Sequence, residues 1–276
     1  MTLSAESMKR PSFILALIIL ALMISITLIG SPSTAGTANC TGPQVDLLIL
    51  GDSQTGGSWA TSYFGDFLQK CLAQKRHLRF AAYARGGTQM TQWVQSKALD
   101  HIPTVYRDAE TPRKILGGKE IPVCWKRARS LIEIHRPTGV LLQFGDNLLS
   151  LDATTTETQT KDLLKIVEAA GIPPERCFFA TPTYEMAVQA KRNVPAKNLA
   201  NTLKVRSAIE RASKGRCTLV DGTALLAASP LLDRDLLARV PVEGTTGCLG
   251  KAVNDNTHTC GAAARAWAEA VCSAIP

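Results

Sequence analysis

Residues 45–53 read VDLLILGDS, and this stretch decides the fold. Val45–Leu50 is short and almost wholly apolar, with no polar alternation from Leu47 to Leu50. That pattern predicts a strand buried on both faces, as in a parallel sheet. Gly51-Asp52-Ser53-Gln54-Thr55-Gly56-Gly57 follows as a glycine-rich turn, and Trp59 to Leu72 then reads as a helix.

Beyond this stretch the alternation continues. Leu78–Tyr83 is a second strand and Cys124–His135 a helix by its apolar spacing. Gly139–Phe144 is a strong buried strand that ends in Gly145-Asp146-Asn147. Thr160–Ala170 is a helix, Cys177–Ala180 a short strand, Val194–Lys214 a long helix, Cys217–Val220 a last strand, and alanine-rich Gly261–Ala274 a final helix. Strand–helix alternation predicts an α/β fold with a parallel sheet of about five strands covered on both faces. Thr91–Val123, with its prolines and glycines, reads as an irregular insertion. In such sheets ligands sit outside the carboxyl ends of the strands, so residues just after strands are the ones to examine.

Ser53 is the first. A serine hydroxyl in a turn between a buried strand and a helix sits at the mouth of the sheet, where a nucleophile and its oxyanion are favoured. The same residue also suits a plain helix cap. The surrounding residues are not Gly-x-Ser-x-Gly, so the nucleophile elbow of α/β-hydrolases is absent. Of the four histidines (His77, His101, His135, His258), His258 alone has a carboxylate at useful spacing, in Asn254-Asp255-Asn256-Thr257-His258. Asp255, three residues before, can orient the imidazole and stabilise its protonated form. Asn147, after the best strand, can donate to a developing oxyanion. Gly86, in Tyr83-Ala84-Arg85-Gly86-Gly87-Thr88 after the second strand, offers a backbone N–H, with Gly87 as the alternative.

Each element alone is an ordinary loop; their order is specific. Gly-Asp-Ser after strand one, glycine after strand two, Gly-x-Asn after strand three and Asp-x-x-His before the last helix resemble the four blocks of the SGNH (GDSL-like) hydrolase superfamily. The resemblance spans roughly residues 44–274. It implies a flavodoxin-like three-layer α/β/α sandwich and ester hydrolysis through an acyl-serine, without a cofactor. It further implies Ser53 as nucleophile and first oxyanion N–H, Gly86 and Asn147 as the other oxyanion donors, His258 as base and Asp255 as its orienter. Two residues depart from the pattern. Gln54 stands where the usual block has leucine, and Leu148 where it has an acid that supports the loop, leaving Asp146 to compensate or not.

The N-terminus is of another kind. Lys9 and Arg10 precede an apolar run from Phe13 to Gly30, followed by Ser31-Pro32-Ser33-Thr34-Ala35-Gly36. A basic start, an apolar middle and a small-residue exit describe a secretory signal, and the run is also about long enough to span a bilayer. Residues 1–36 are therefore expected to be a signal peptide or a single membrane anchor, with residues 37–276 the catalytic domain, exported in either case. All eight cysteines follow that segment and none forms Cys-x-x-Cys. Disulfides are expected, among them Cys248–Cys260 clipping the loop of Asp255 and His258, in preference to a metal held by His258 and Cys260.

The formal net charge of +8 becomes +7 without residues 1–36, with the basic residues scattered along the chain. Such a surface suits acidic cell-wall polymers or membranes, and no nucleic-acid motif is present. Trp59, Trp93 and Tyr184 fall near the expected site, where each can stack on a sugar ring or pack in the core. The expected substrate is a short-acyl or acetyl ester on a carbohydrate or cell-wall glycan. A lipase or thioesterase, an acyltransferase using the same triad, and a catalytically silent glycan-binding protein are the alternatives.

Overall fold

The strand expected at the start of the domain is β1, Leu47–Gly51, with all five residues buried. The structure, a computed structural model, describes residues 42–56, 63–75, 77–95, 105–108, 127–183, 199–228, 259 and 261–276. All of these lie in one compact unit, Cys40–Pro276. After β1 come α1 (Ser53–Gly56), α2 (Phe64–Gln74), β2 (Phe80–Ala84), α3 (Met90–Val94), β3 (Val105–Asp108) and α4 (Ala128–His135). Then follow β4 (Gly139–Gln143), α5 (Ala153–Ala169), β5 (Cys177–Ala180), α6 (Leu199–Ser213), β6 (Thr218–Val220), α7 (Gly222–Ala228) and α8 (Gly261–Ala274).

The sheet order is β3-β2-β1-β4-β5-β6. β2, β1, β4, β5 and β6 run parallel, giving the five parallel strands expected. Alternate side chains enter two cores. Leu48 and Leu50 of β1, Val140 and Leu142 of β4 and Phe179 of β5 pack with α3, α4, α5 and α6. Leu47 and Ile49, Leu141 and Phe178 pack with α2 and α8 on the other face. This is the three-layer α/β/α sandwich, with the flavodoxin-like order in which the chain turns one way from β1 to β2 and the other way to β4. The reversal opens a crevice at the carboxyl ends of β1 and β4.

Three departures from the sequence reading have local causes. The stretch read as an irregular insertion contains β3 and all of α3 but its first residue, and β3 pairs antiparallel with the edge of β2. Both are too short to show a period, and α3 depends on a capping box in which Gln89 N donates to Gln92 Oε1 at 2.7 Å. Helix α5 starts at Ala153, before Thr160, because Asp152 caps it by accepting from Thr155 N at 2.7 Å. Its threonine-rich first turns have weak propensity, offset by burial of Thr156 and Thr160. Helix α7, not foreseen, is capped by Asp221, whose Oδ1 accepts from Ala224 N at 3.0 Å.

Disulfides Cys71–Cys272 and Cys177–Cys217 join α2 to α8 and the starts of β5 and β6. Both are the kind of crosslink an oxidising compartment permits. The expected Cys248–Cys260 pair lies outside the described residues, as does the N-terminal apolar segment. Among the described residues no helix is long and apolar enough to cross a membrane.

Candidate functional site

Ser53 is the first residue of α1, two positions beyond the end of β1, and is only 6% exposed. The turn needs glycine at 51, because a Cβ there would lie 2.2 Å from Thr55 Oγ1. Thr55 is drawn in by Gln143, the last residue of β4, whose Oε1 accepts from Thr55 N at 3.1 Å and from Thr55 Oγ1 at 2.7 Å. Asp52 N donates to the Gln143 carbonyl at 3.2 Å. The residues on either side of Ser53 are thus fastened to the neighbouring strand.

Gly86 is half-buried in the turn after β2, and Arg85 N donates to the Gly51 carbonyl at 3.1 Å. Gly87 is exposed and takes the left-handed conformation, φ +72°. The turn geometry therefore needs glycine at 87, while Gly86 is the more enclosed of the two. Asn147 lies after β4 in a short 3-10 turn, Asp146–Leu148. Gly145 admits that turn through φ +146° and through the close approach of Pro182, whose ring would sit 2.6 Å from a Cβ. Asn147 Nδ2 donates to the Thr88 carbonyl at 3.1 Å, and Gln89 Nε2 donates back to the Asn147 carbonyl at 3.1 Å. Ser53, Gly86 and Asn147 thus follow three adjacent parallel strands, and their loops are cross-linked by hydrogen bonds.

Asp255 and His258 lie outside the described residues, but Thr259, next to His258 in the chain, is described. Its N–H donates to Gln54 Oε1 at 3.1 Å, and its hydroxyl meets the Thr183 hydroxyl in the loop after β5. Thr259, the residue that follows the fourth sequence block, is thereby joined to the first block across 205 residues. The departure at Gln54 has a physical reason: a fully buried amide stands where leucine is usual, and its oxygen takes the Thr259 N–H. Leu148 is fully buried among apolar core residues, so the acid of the usual pattern would have no solvent here.

Trp93 is 2% exposed, packs edge-on to Phe144 and donates from Nε1 to Thr88 Oγ1 at 3.1 Å. Of its two roles the core one is observed, and Trp93 is not a stacking surface for a sugar. Trp59 and Tyr184 lie outside the described residues. His135 is a fully buried structural histidine, with Nε2 2.6 Å from the Tyr83 hydroxyl and Nδ1 2.8 Å from the Pro43 carbonyl. Among the described residues no group of three His, Cys, Asp or Glu side chains could hold a metal. The sequence reading missed Gln54, Thr55, Thr88, Gln143 and Thr183.

No family model matches the chain, and no curated protein matches it. Solved structures do. A protein of Slackia heliotrinireducens assigned to the SGNH hydrolases superposes with TM-score 0.56 at 16% identity, over 84% of this chain and 100% of that one. A protein of Bacteroides fragilis assigned as an acylhydrolase does so with TM-score 0.51 at 12% identity, over 87% and 91% of the two chains. The chain has the fold of the SGNH hydrolases, in agreement with the order of its four sequence blocks.

Proposed function

We propose that this chain is an exported serine esterase that hydrolyses a short-acyl or acetyl ester on a carbohydrate or cell-wall glycan through an acyl-serine intermediate. In this reading Ser53 is the nucleophile, His258 its base and Asp255 the orienter of His258. The Ser53 and Gly86 N–H groups and the Asn147 side-chain amide form the oxyanion hole. His258 takes the Ser53 proton as the hydroxyl attacks the carbonyl, then gives it to the departing alcohol. Water repeats the sequence to release the acid. The observation that carries the reading is a set of hydrogen bonds at one end of the sheet: Thr55 with Gln143, Asn147 with Thr88, and Gln54 with Thr259, the residue that follows the fourth block in the chain. The names of the two solved structures, hydrolase and acylhydrolase, are in keeping with it.

Export is supported by the basic and apolar N-terminal segment and by the two disulfides. The glycan class is supported by the net charge of +8, which suits acidic cell-wall polymers. Turnover of p-nitrophenyl acetate by the purified domain tests the chemistry. The wild type should turn over, and Ser53→Ala should remove nearly all activity; equal rates would refute it. Release of acetate from an acetylated polysaccharide, set against release from a lipid ester, tests the substrate class.

A further inference from the structure

Gln54 has no role in the mechanism above, yet it is fully buried beside Ser53 and spans to the far end of the chain. A buried amide is costly to keep unless its groups are matched, and a buried backbone N–H carries the same cost. Gln54 Oε1 and Thr259 N answer each other at 3.1 Å, and Thr259 is itself 2% exposed. On its other side the Thr259 hydroxyl meets that of Thr183, which is 1% exposed. Three polar residues, from the turn after β1, the loop after β5 and the segment before α8, thus close a buried cluster.

The nitrogen that Gln54 holds belongs to the peptide joining residues 258 and 259. Fixing that peptide fixes the main chain from which the residue 258 side chain departs. The residue that does so is covalently next to Ser53. We propose that Gln54 is a positioning residue: it registers the proposed base, His258, against the proposed nucleophile, Ser53, through the Thr259 N–H. The inference rests on the esterase reading. Leucine at this position, usual for the family pattern, cannot accept a hydrogen bond, so this chain sets its base by a different contact.

The test compares the wild type, Gln54→Leu and Thr183→Val on p-nitrophenyl acetate, with folding followed by circular dichroism. Gln54→Leu removes the acceptor at similar volume, and a misplaced base lowers kcat by roughly 10- to 100-fold. KM should stay near the wild-type value, because binding is not what the contact serves. A fall in kcat with KM unchanged is the readout that a purely packing role would not produce. Thr183→Val, which loses only the second hold on Thr259, should show a smaller fall in kcat with KM unchanged. It also carries the test should Gln54→Leu not fold.

Wild-type kcat in folded Gln54→Leu, or in Thr183→Val where Gln54→Leu does not fold, overturns the proposal. So does a loss confined to KM. A wild type without Ser53-dependent turnover overturns the esterase reading and this inference with it. That failure shows in the unmutated protein and is thus distinct from a failure of Gln54 alone.

Discussion

The side-chain amide of Asn147 donates to the carbonyl oxygen of Thr88 at 3.1 Å, so the loop after β4 is held by the loop after β2. Gly86 lies in that second loop, two residues before Thr88. One N–H of the Asn147 amide is committed to this link, which fixes the plane in which the other can point. The proposed side-chain oxyanion donor is therefore oriented by a hydrogen bond to the loop that carries Gly86.

Replacing Asn147 tests this directly. Asn147→Ala removes one proposed oxyanion donor, and the loss of such a donor costs roughly a hundred- to a thousand-fold in kcat. Steady-state kinetics on p-nitrophenyl acetate should show that fall with a smaller change in KM. An unchanged kcat would take Asn147 out of the oxyanion hole.

Gln143 should matter for stability. Its Oε1 is the acceptor for both the N–H and the hydroxyl of Thr55, and both residues are buried. Gln143→Leu leaves the Thr55 N–H without that acceptor, and such a loss costs about 1–3 kcal/mol. Urea unfolding of the two proteins measures it; coincident midpoints would contradict the account.

Much of the fold was legible because its strands are continuous apolar runs, a pattern that buried parallel strands impose. Cys177–Ala180 and Gly139–Gln143 fall within a residue of their expected ends for that reason. Where structure depends on a single cap or one-sided pairing, as in α3, β3 and the first turns of α5, no period exists to read. The site was legible as an order of blocks. Its fastening was not, since Gln54–Thr259 and Thr55–Gln143 join residues 205 and 88 apart through side chains that carry no local signal.

The family pattern can be turned into a test at Leu148. It is fully buried in the core beside Phe144 and Leu149. Leu148→Asp, which restores the usual acid, buries a carboxylate at a cost on the order of several kcal/mol. Leu148→Met keeps the volume and costs less than about 1.5 kcal/mol. Thermal melts should separate the two clearly; a Leu148→Asp protein as stable as wild type would show that Asp146 and its surroundings can accommodate a second acid.

Acid sensitivity should come in part from Asp46, just before β1. Arg79 donates to its Oδ2 from the backbone N–H at 2.8 Å and to its Oδ1 from Nη2 at 3.2 Å. The Arg79 hydrogen bonds hold the Asp46 carboxyl below the usual carboxylate range. A depressed folded value means the contribution is full above the ordinary aspartate pKa of about 3.9 and fades as pH falls through the folded value. The pair is exposed, so the effect is below about 1 kcal/mol and screened by salt. Asp46→Asn should therefore be less stable than wild type at pH 6, with the difference closing in acid. A gap that widens in acid would reverse the sign.

The central claim is that Ser53 is an activated nucleophile, and a fluorophosphonate probe reads this with no assumption about the substrate. Folded protein treated with the probe and mapped by mass spectrometry should carry one adduct, on Ser53. The adduct should be absent after unfolding in urea and strongly slowed in His258→Ala. No adduct at Ser53 in folded protein, or labelling of a different serine at the same rate, would contradict the account.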